Sequence, residues 1–265
     1  MQISPPNHLA PFIRHYIFLE NSGENIMSLR LFTDGSCGLI LSGDMKLYSG
    51  TAKERMPLSF FYGMVSSYKD FFSKEKFSLI AVVFQPYFLH ILSGISAKAL
   101  SNKTIPVEDI LTNKLEIFQE KLFNKTAPLS IINGLNTFFT QFLSGGVGTD
   151  HHLISAAQQY LLLNKGSVSS KDLQHFTGYS ERQLERKFEY NMGMSPKKYA
   201  NIIRMHYFLS LINNRVDDKN MTMLSYQAGY SDQSHLIRDF KNTTGLTPKQ
   251  YLNKENKMAV NFIEL

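Results

Sequence analysis

Two groups of hydrogen-bonding side chains recur in the C-terminal half of this 265-residue chain. Arg182, Glu185 and Arg186 form one, with Gln183 beside them. Ser234, His235 and Arg238 form the other, with Gln233 beside them. Arginine presents a fork of donors that fits guanine O6 and N7, glutamate can accept from cytosine N4, and serine can bond several base edges. These types suit recognition rather than bond-making. Residues able to do covalent or metal chemistry are sparse. Cys37 is the single cysteine and sits in a Thr-Asp-Gly-Ser-Cys-Gly turn with no nucleophile motif around it. His151 and His152 are adjacent, and neighbouring side chains do not share a helix face. Gly145-Gly146-Val147-Gly148 lacks the Lys-Ser/Thr of a phosphate-cradling loop. No Cys/His cluster has zinc spacing. The expectation is a protein that is not an enzyme and holds no metal or cofactor.

The two groups lie in a repeat. Leu184, Arg186, Phe188, Gly193, Pro196 and Tyr199 meet Leu236, Arg238, Phe240, Gly245, Pro248 and Tyr251, each 52 positions on. The leading glycines, Gly178 and Gly229, are 51 apart. A repeated glycine, an apolar pair four apart, an arginine and a Gly-x-Ser/Thr-Pro stop describe one supersecondary unit made twice.

The elements that must carry these residues follow from apolar spacing. Helices are expected at about 152–164, 168–176, 180–191, 196–213, 222–228 and 232–243, with one more starting at Pro248. Each unit reads helix, glycine turn, helix, over about 168–190 and 222–243, which is a helix-turn-helix layout. Ser180 and Asp232 suit the N-caps of the second helices. Leu184, Phe188, Leu236, Phe240, Tyr199 and Tyr251 are expected in the core. Lys187, Lys197, Lys198, Lys241 and Lys249 are candidates for phosphate contacts or plain solvated lysines. Net charge is +6 and is unevenly placed. Residues 1–150 hold 13 Lys and Arg against 12 Asp and Glu; residues 151–265 hold 15 against 10. The basic excess accompanies the repeat and suits a polyanionic partner.

The pieces Ser-x-Arg-x-Leu-x-Arg-x-Phe at 180–188 and Gly-Tyr-Ser-Asp-Gln-Ser-His-Leu-x-Arg-Asp-Phe-Lys at 229–241 are each followed by Gly-x-Ser/Thr-Pro-x-x-Tyr. Over roughly residues 150–252 the chain resembles the AraC/XylS transcription regulators. That resemblance implies two helix-turn-helix units on a rigid connecting helix, reading adjacent major-groove segments of double-stranded DNA. Carried over by motif position, the base readers are Arg182, Glu185 and Arg186, then Ser234, His235 and Arg238, with Gln183 and Gln233 as second choices. It also implies a bacterial, activator-type regulator that recruits RNA polymerase. The family usually has alanine four residues before each turn glycine; here Gln174 and Ser225 stand there. The competing reading is a small-molecule-binding or repair protein that its helical region merely tethers to DNA.

Residues 1–85 read mostly as strand. Met27–Gly35, Cys37–Gly50 and Phe77–Gln85 are apolar or alternating runs with Asp-Gly and Ser-Gly turns between them; Pro11–Glu20 suits a strand or a short helix. Past Pro86 the spacing turns helical, with Gly94 as a stop, Pro106 as a first-turn proline and an apolar stripe over 128–143. The fold class expected is α+β: a small barrel-like sensory domain with trailing helices over 1–144, a glycine-rich linker at 145–150, and an all-helical DNA-binding domain over 151–265. The first domain is expected to bind a small-molecule effector, to form a homodimer, or both. Phe60, Phe61, Tyr62, Phe71 and Phe72 are candidates to line its apolar cavity, or plain core. The N-terminus lacks the layout of a signal peptide and no run is long enough to span a membrane, so a cytoplasmic setting with no membrane partner is expected.

Overall fold

The computed structural model describes residues 1–21, 27–43, 47–50, 54–111, 115–124, 126–146, 151–213, 221–253, 257–259 and 262–264. Two six-stranded antiparallel sheets dominate the N-terminal part. Strands β1 (Gln2–Ile3), β2 (Ile13–Asn21), β4 (Cys37–Ser42), β7 (Ser59–Tyr62), β9 (Phe77–Phe84) and β10 (Thr104–Pro106) form the first, in the order β1-β2-β9-β4-β7-β10. Strands β2 and β9 pair along their whole lengths, from Ile13 opposite Phe84 to Asn21 opposite Phe77. The Pro11–Glu20 run is thus strand from Ile13 onward, not helix. Pro106 ends edge strand β10 rather than opening a helix; helix α3 (Glu108–Leu111) starts two residues later. Proline lacks an N–H and is tolerated where a sheet has no further neighbour.

The second sheet contains β3 (Met27–Leu31), β5 (Tyr48–Ser49), β6 (Glu54–Arg55), β8 (Lys69–Ser73) and two strands that return from the far end of the sequence, β11 (Lys257–Ala259) and β12 (Phe262–Glu264). Strand β12 lies against β3, with Phe262 opposite Leu31 and Glu264 opposite Leu29.

The first sheet is covered on both faces, so β9 is buried over nearly its whole length, as expected for a strand with two packed sides. Its inner face meets the second sheet through Ile17, Leu19, Leu29, Phe60, Phe71, Leu79 and Val83. Its outer face carries helices α1 (Phe88–Ser93), α4 (Glu116–Phe123) and α5 (Pro128–Ser144), which bury Phe84, Phe88, Ile131, Leu135 and Phe139. Side chains alternate across a strand, and this sorts the five candidate aromatics. Phe60, Tyr62 and Phe71 line an apolar cavity of about 60 Å³ between the sheets. Phe61 points the other way, into the helix-covered core, and Phe72 stacks on Tyr48 at 5.3 Å. Lys69 lines the same cavity, donates to the Asn102 carbonyl at 2.9 Å, and has its ammonium pKa lowered by burial. Helix α2 (Ala97–Leu100) sits beyond α1.

Helix α5 ends at Gly145. Residues 147–150 of the expected linker lie outside the described residues. Among the described residues seven helices follow: α6 (His151–Leu163), α7 (Ser170–Thr177), α8 (Glu181–Met192), α9 (Pro196–Asn213), α10 (Met221–Gln227), α11 (Gln233–Thr244) and α12 (Pro248–Leu252). They surround two apolar cores, one per repeat. The N-terminal part contributes to both. Met64 and Tyr87 enter the first core. Phe32, fully buried, enters the second, 6.3 Å from Tyr251.

Candidate nucleic-acid interface

Helices α7 and α8 make the first helix-turn-helix, α10 and α11 the second. Both turns pass through a left-handed glycine, Gly178 at φ 73° and Gly229 at φ 82°, where a side chain would be strained. Ser169 caps α7 reciprocally with Asp172. Asp232 caps α11 by accepting from the His235 N–H at 2.7 Å. That bond holds the Asp232 carboxyl below its usual range against desolvation, with a smaller contribution from Ser231. Leu184, Phe188, Leu236 and Phe240 are buried, so the opposite face of each second helix turns outward.

The structure divides the candidate readers. Arg182, Glu185 and Arg186 are exposed on α8, and no ion pair joins them among the described residues. Ser234 and Arg238 are exposed on α11. The other three are engaged. Gln183 Oε1 accepts from the Ser180 N–H at 3.0 Å and from its hydroxyl at 2.9 Å, closing the helix cap. Gln233 Oε1 accepts from the Thr222 hydroxyl at 2.8 Å, tying α11 to α10. His235 lies 3.3 Å from Asp239 and meets Tyr230 edge-on. Among the lysines, Lys197, Lys198, Lys241 and Lys249 are exposed, whereas Lys187 is half-buried with its ammonium 5.3 Å from the Tyr179 ring. At the two positions that depart from the alanine pattern, Ser225 is fully buried and bonds the Thr222 carbonyl. Gln174 is half-buried and folds back along its own helix to Ser170 at 3.2 Å.

Two features escaped the sequence reading. The first is Arg204 on α9. Its Nη1 donates to the Gly229 carbonyl at 3.1 Å and its Nη2 to Asn201 at 2.7 Å. Gly229 also abuts Ser167, from the stretch before α7. The long helix therefore pins the second turn to the first unit. A lone arginine in a helical stretch carries no signal of that bond.

The second is how the N-terminal part holds the units. The repeated stop glycines, Gly193 and Gly245, end α8 and α11 in left-handed conformation at φ 77° and 73°. Gly193 meets α2: an added Cβ would sit 2.9 Å from the Ala97 carbonyl oxygen, and Ser101 donates to the Gly193 carbonyl at 3.2 Å. Lys98 pairs with Glu189 at 2.6 Å close by. Gly245 meets the second sheet: a Cβ there would fall 2.7 Å from the Tyr68 ring. Arg30, held by Asp70 through two bonds of 2.6 Å, donates to the Thr244 carbonyl at 3.4 Å. Both units are gripped at equivalent positions, at the ends of their outward-facing helices.

Residues 173–254 match a family described as a helix-turn-helix domain. Residues 1–106 match a domain of unknown function, DUF6597. Uncharacterized HTH-type transcriptional regulators of Staphylococcus aureus, from strains MSSA476 and MRSA252 among others, are 30% identical over 84 residues. That stretch covers 32% of this chain and 11% of each relative's length. In fold, the chain is similar to crystal structures of ToxT from Vibrio cholerae. One, with an unsaturated fatty acid bound, gives a TM-score of 0.51 at 14% identity over 89% of this chain and 94% of that one. Another gives 0.50 at 15% identity over 89% and 98%. No helix among the described residues is long and apolar enough to cross a membrane.

Proposed function

We propose that this chain is a sequence-specific DNA-binding transcription regulator of the AraC family, a reading supported by its duplicated helix-turn-helix domain. One observation carries the reading. Two equivalent helices bury their apolar stripes and turn polar faces outward, whose arginines have no ion pair among the described residues, and a single long helix pinned by Arg204 fixes them relative to each other. Arg182, Glu185 and Arg186 read one major-groove segment; Ser234 and Arg238 read the next. His235 and Gln233 hold α11 in place and contribute at its edge, and Gln183 serves the helix cap. Exposed Lys197, Lys198, Lys241 and Lys249 supply phosphate contacts.

The N-terminal part is the regulatory domain. The cavity between the sheets takes an apolar effector with an acidic end, its carboxylate on Lys69. Support comes from the lining of Phe60, Tyr62 and Phe71 and from a fold shared with a fatty-acid-bound protein. A long acyl chain requires the sheets to part, because the cavity is small. Polymerase recruitment, a homodimer on a two-copy operator and a cytoplasmic setting complete the proposal.

The test is selection of bound sequences from a random DNA pool with the full chain, followed by affinity measurements on Arg186→Ala and Arg238→Ala. Each variant is expected to lose about 1–3 kcal/mol on the selected site. Its loss on random duplex should be smaller. Equal weakening on both, with only the salt slope altered, would instead make the helical region a tether.

A further inference from the structure

A polar cleft of about 470 Å³ opens between β2, helix α6 and the connecting helix α9, apart from the apolar cavity inside the sheets. Its groups come from three places in the chain. Arg14 rises from β2, with Nη1 bonded to the Asp34 carboxylate at 3.0 Å and to the Asp34 carbonyl at 3.3 Å. Its Nε and Nη2 find no acceptor among the described residues, and its side chain is one-third exposed. Asp34 is spent: Arg14 and Ser36 both bond it, and its side chain is 8% exposed. Lys165, just past α6, holds a left-handed backbone at φ 55° and reaches the Tyr207 hydroxyl at 3.0 Å. It has no carboxylate partner among the described residues. The cleft thus contains two cations and one carboxylate that a cation already neutralises.

Beside Arg14, His15 also lines the cleft, and its buried Nε2 has no partner among the described residues. A buried polar atom without a hydrogen bond is rare in folded proteins and points to a missing partner. Gln85 and Gln158 bond each other at 3.1 Å and add amide groups to the wall. On the α9 side, His206 is committed to the Thr33 carbonyl at 2.9 Å.

We propose that this cleft binds a small anion bearing phosphate or carboxylate groups, held by the free donors of Arg14, the Lys165 ammonium and His15. A forked arginine and a point-charge lysine lining one cleft suit an oxyanion rather than a cation or an apolar molecule. The bound anion would bridge β2 to the turn after α6, where Lys165 also bonds Tyr207 of α9, so it would tighten the docking of the helical region on the sheets. Its effect on DNA recognition rests on the regulator reading above; the binding itself does not.

The experiment is calorimetric titration of the full chain with inorganic phosphate and, separately, with citrate. Saturable binding of at least one anion at one site per chain is expected. Lys165 is exposed and its ammonium bonds only the Tyr207 hydroxyl among the described residues, so Lys165→Gln should keep the chain folded with a small shift of the unliganded thermal midpoint while weakening the anion about tenfold, the loss expected for one charge-assisted bond. Arg14→Gln should weaken it further. Arg238→Ala should bind the anion as the parent does, which separates this site from phosphate attracted to the outward helices. Phosphate binding alone assigns a phosphorylated ligand; citrate binding alone assigns a carboxylate. Absence of saturable heat up to about 10 mM of either anion, or unchanged affinity in Lys165→Gln, overturns the site. Normal DNA selection with no anion binding sinks this site alone. Anion binding in a chain that shows no DNA preference sinks the regulator reading alone.

Discussion

At the scale of single residues, the two glycines of one unit separate backbone strain from domain contact. Gly178 and Gly193 have nearly equal positive φ, 73° and 77°, but an added Cβ at Gly178 meets nothing within 4 Å, whereas at Gly193 it collides with Ser101 and Ala97. Gly178→Ala should cost about 1–2 kcal/mol, the left-handed penalty of an L residue. Gly193→Ala should cost clearly more and should also free α8 from α2. Thermal unfolding measures the first difference. Equal losses would mean that the α2 contact contributes nothing. Cys37 gives a second residue-scale test. Burial pushes its thiol up to about 12, against small opposing hydrogen-bond effects, and its side chain is buried in the core. Thiolate is the reactive form, so a thiol reagent should label the native protein only as fast as it unfolds. Rapid labelling at neutral pH would contradict the packing around β4.

At the scale of elements, the helical half was legible because its signals are local. Helix α9 begins at Pro196 and ends at Asn213, where spacing and the proline put it. The caps at Ser180 and Asp232 and the glycine stops followed from residue types alone. The strands were less so. Ser59–Tyr62 is four buried residues in a row without alternation, a pattern that does not distinguish strand from helix. Strand β12 depends on β3, more than two hundred positions away, and β11 only on β12, so both leave little local trace. The candidate readers could be named as a set from the motif, but which of them are engaged within the fold was not legible, because Gln233 is held by Thr222 across a turn and His235 by Asp239. Arg204 belongs here too, since it joins elements rather than residues. Arg204→Met should preserve both cores yet raise amide exchange at Gly229 and Tyr230 about tenfold, the equivalent of one lost hydrogen bond from a charged donor. Unchanged exchange would show that α9 and the close contact at Ser167 suffice without it.

At the scale of the whole molecule, the junction between the sheets and α9 should respond to acid. Burial, reinforced by Arg14, pushes His15 below the ordinary imidazole range. Burial likewise lowers His206, with Asp34 and the Thr33 carbonyl opposing. Both are therefore neutral when folded and bind protons more readily when unfolded. Their contribution to stability is complete above about pH 6.5 and declines as pH falls from there toward their folded values. Asp34 titrates lower still: burial alone would raise its carboxyl, but Arg14, His206 and Ser36 together bring it below the usual value. Its contribution is lost only as pH falls below about 4. The thermal midpoint should drop between about pH 7.5 and 5.5, and His206→Gln should flatten that slope; a midpoint that does not move across the interval would contradict the burial of both rings. The same junction bears on how the molecule can open. Strand β3 has β8 on one side and β12 on the other. Lifting the second unit away from the sheets would pull on the chain that leads into β12. Losing that strand would leave the N–H and C=O groups of Met27–Leu31 facing solvent as a raw edge, the kind that recruits a strand from another molecule. Any motion that releases the helices must therefore leave this hem stitched, or the opened form will be one that sticks to its own copies as concentration rises.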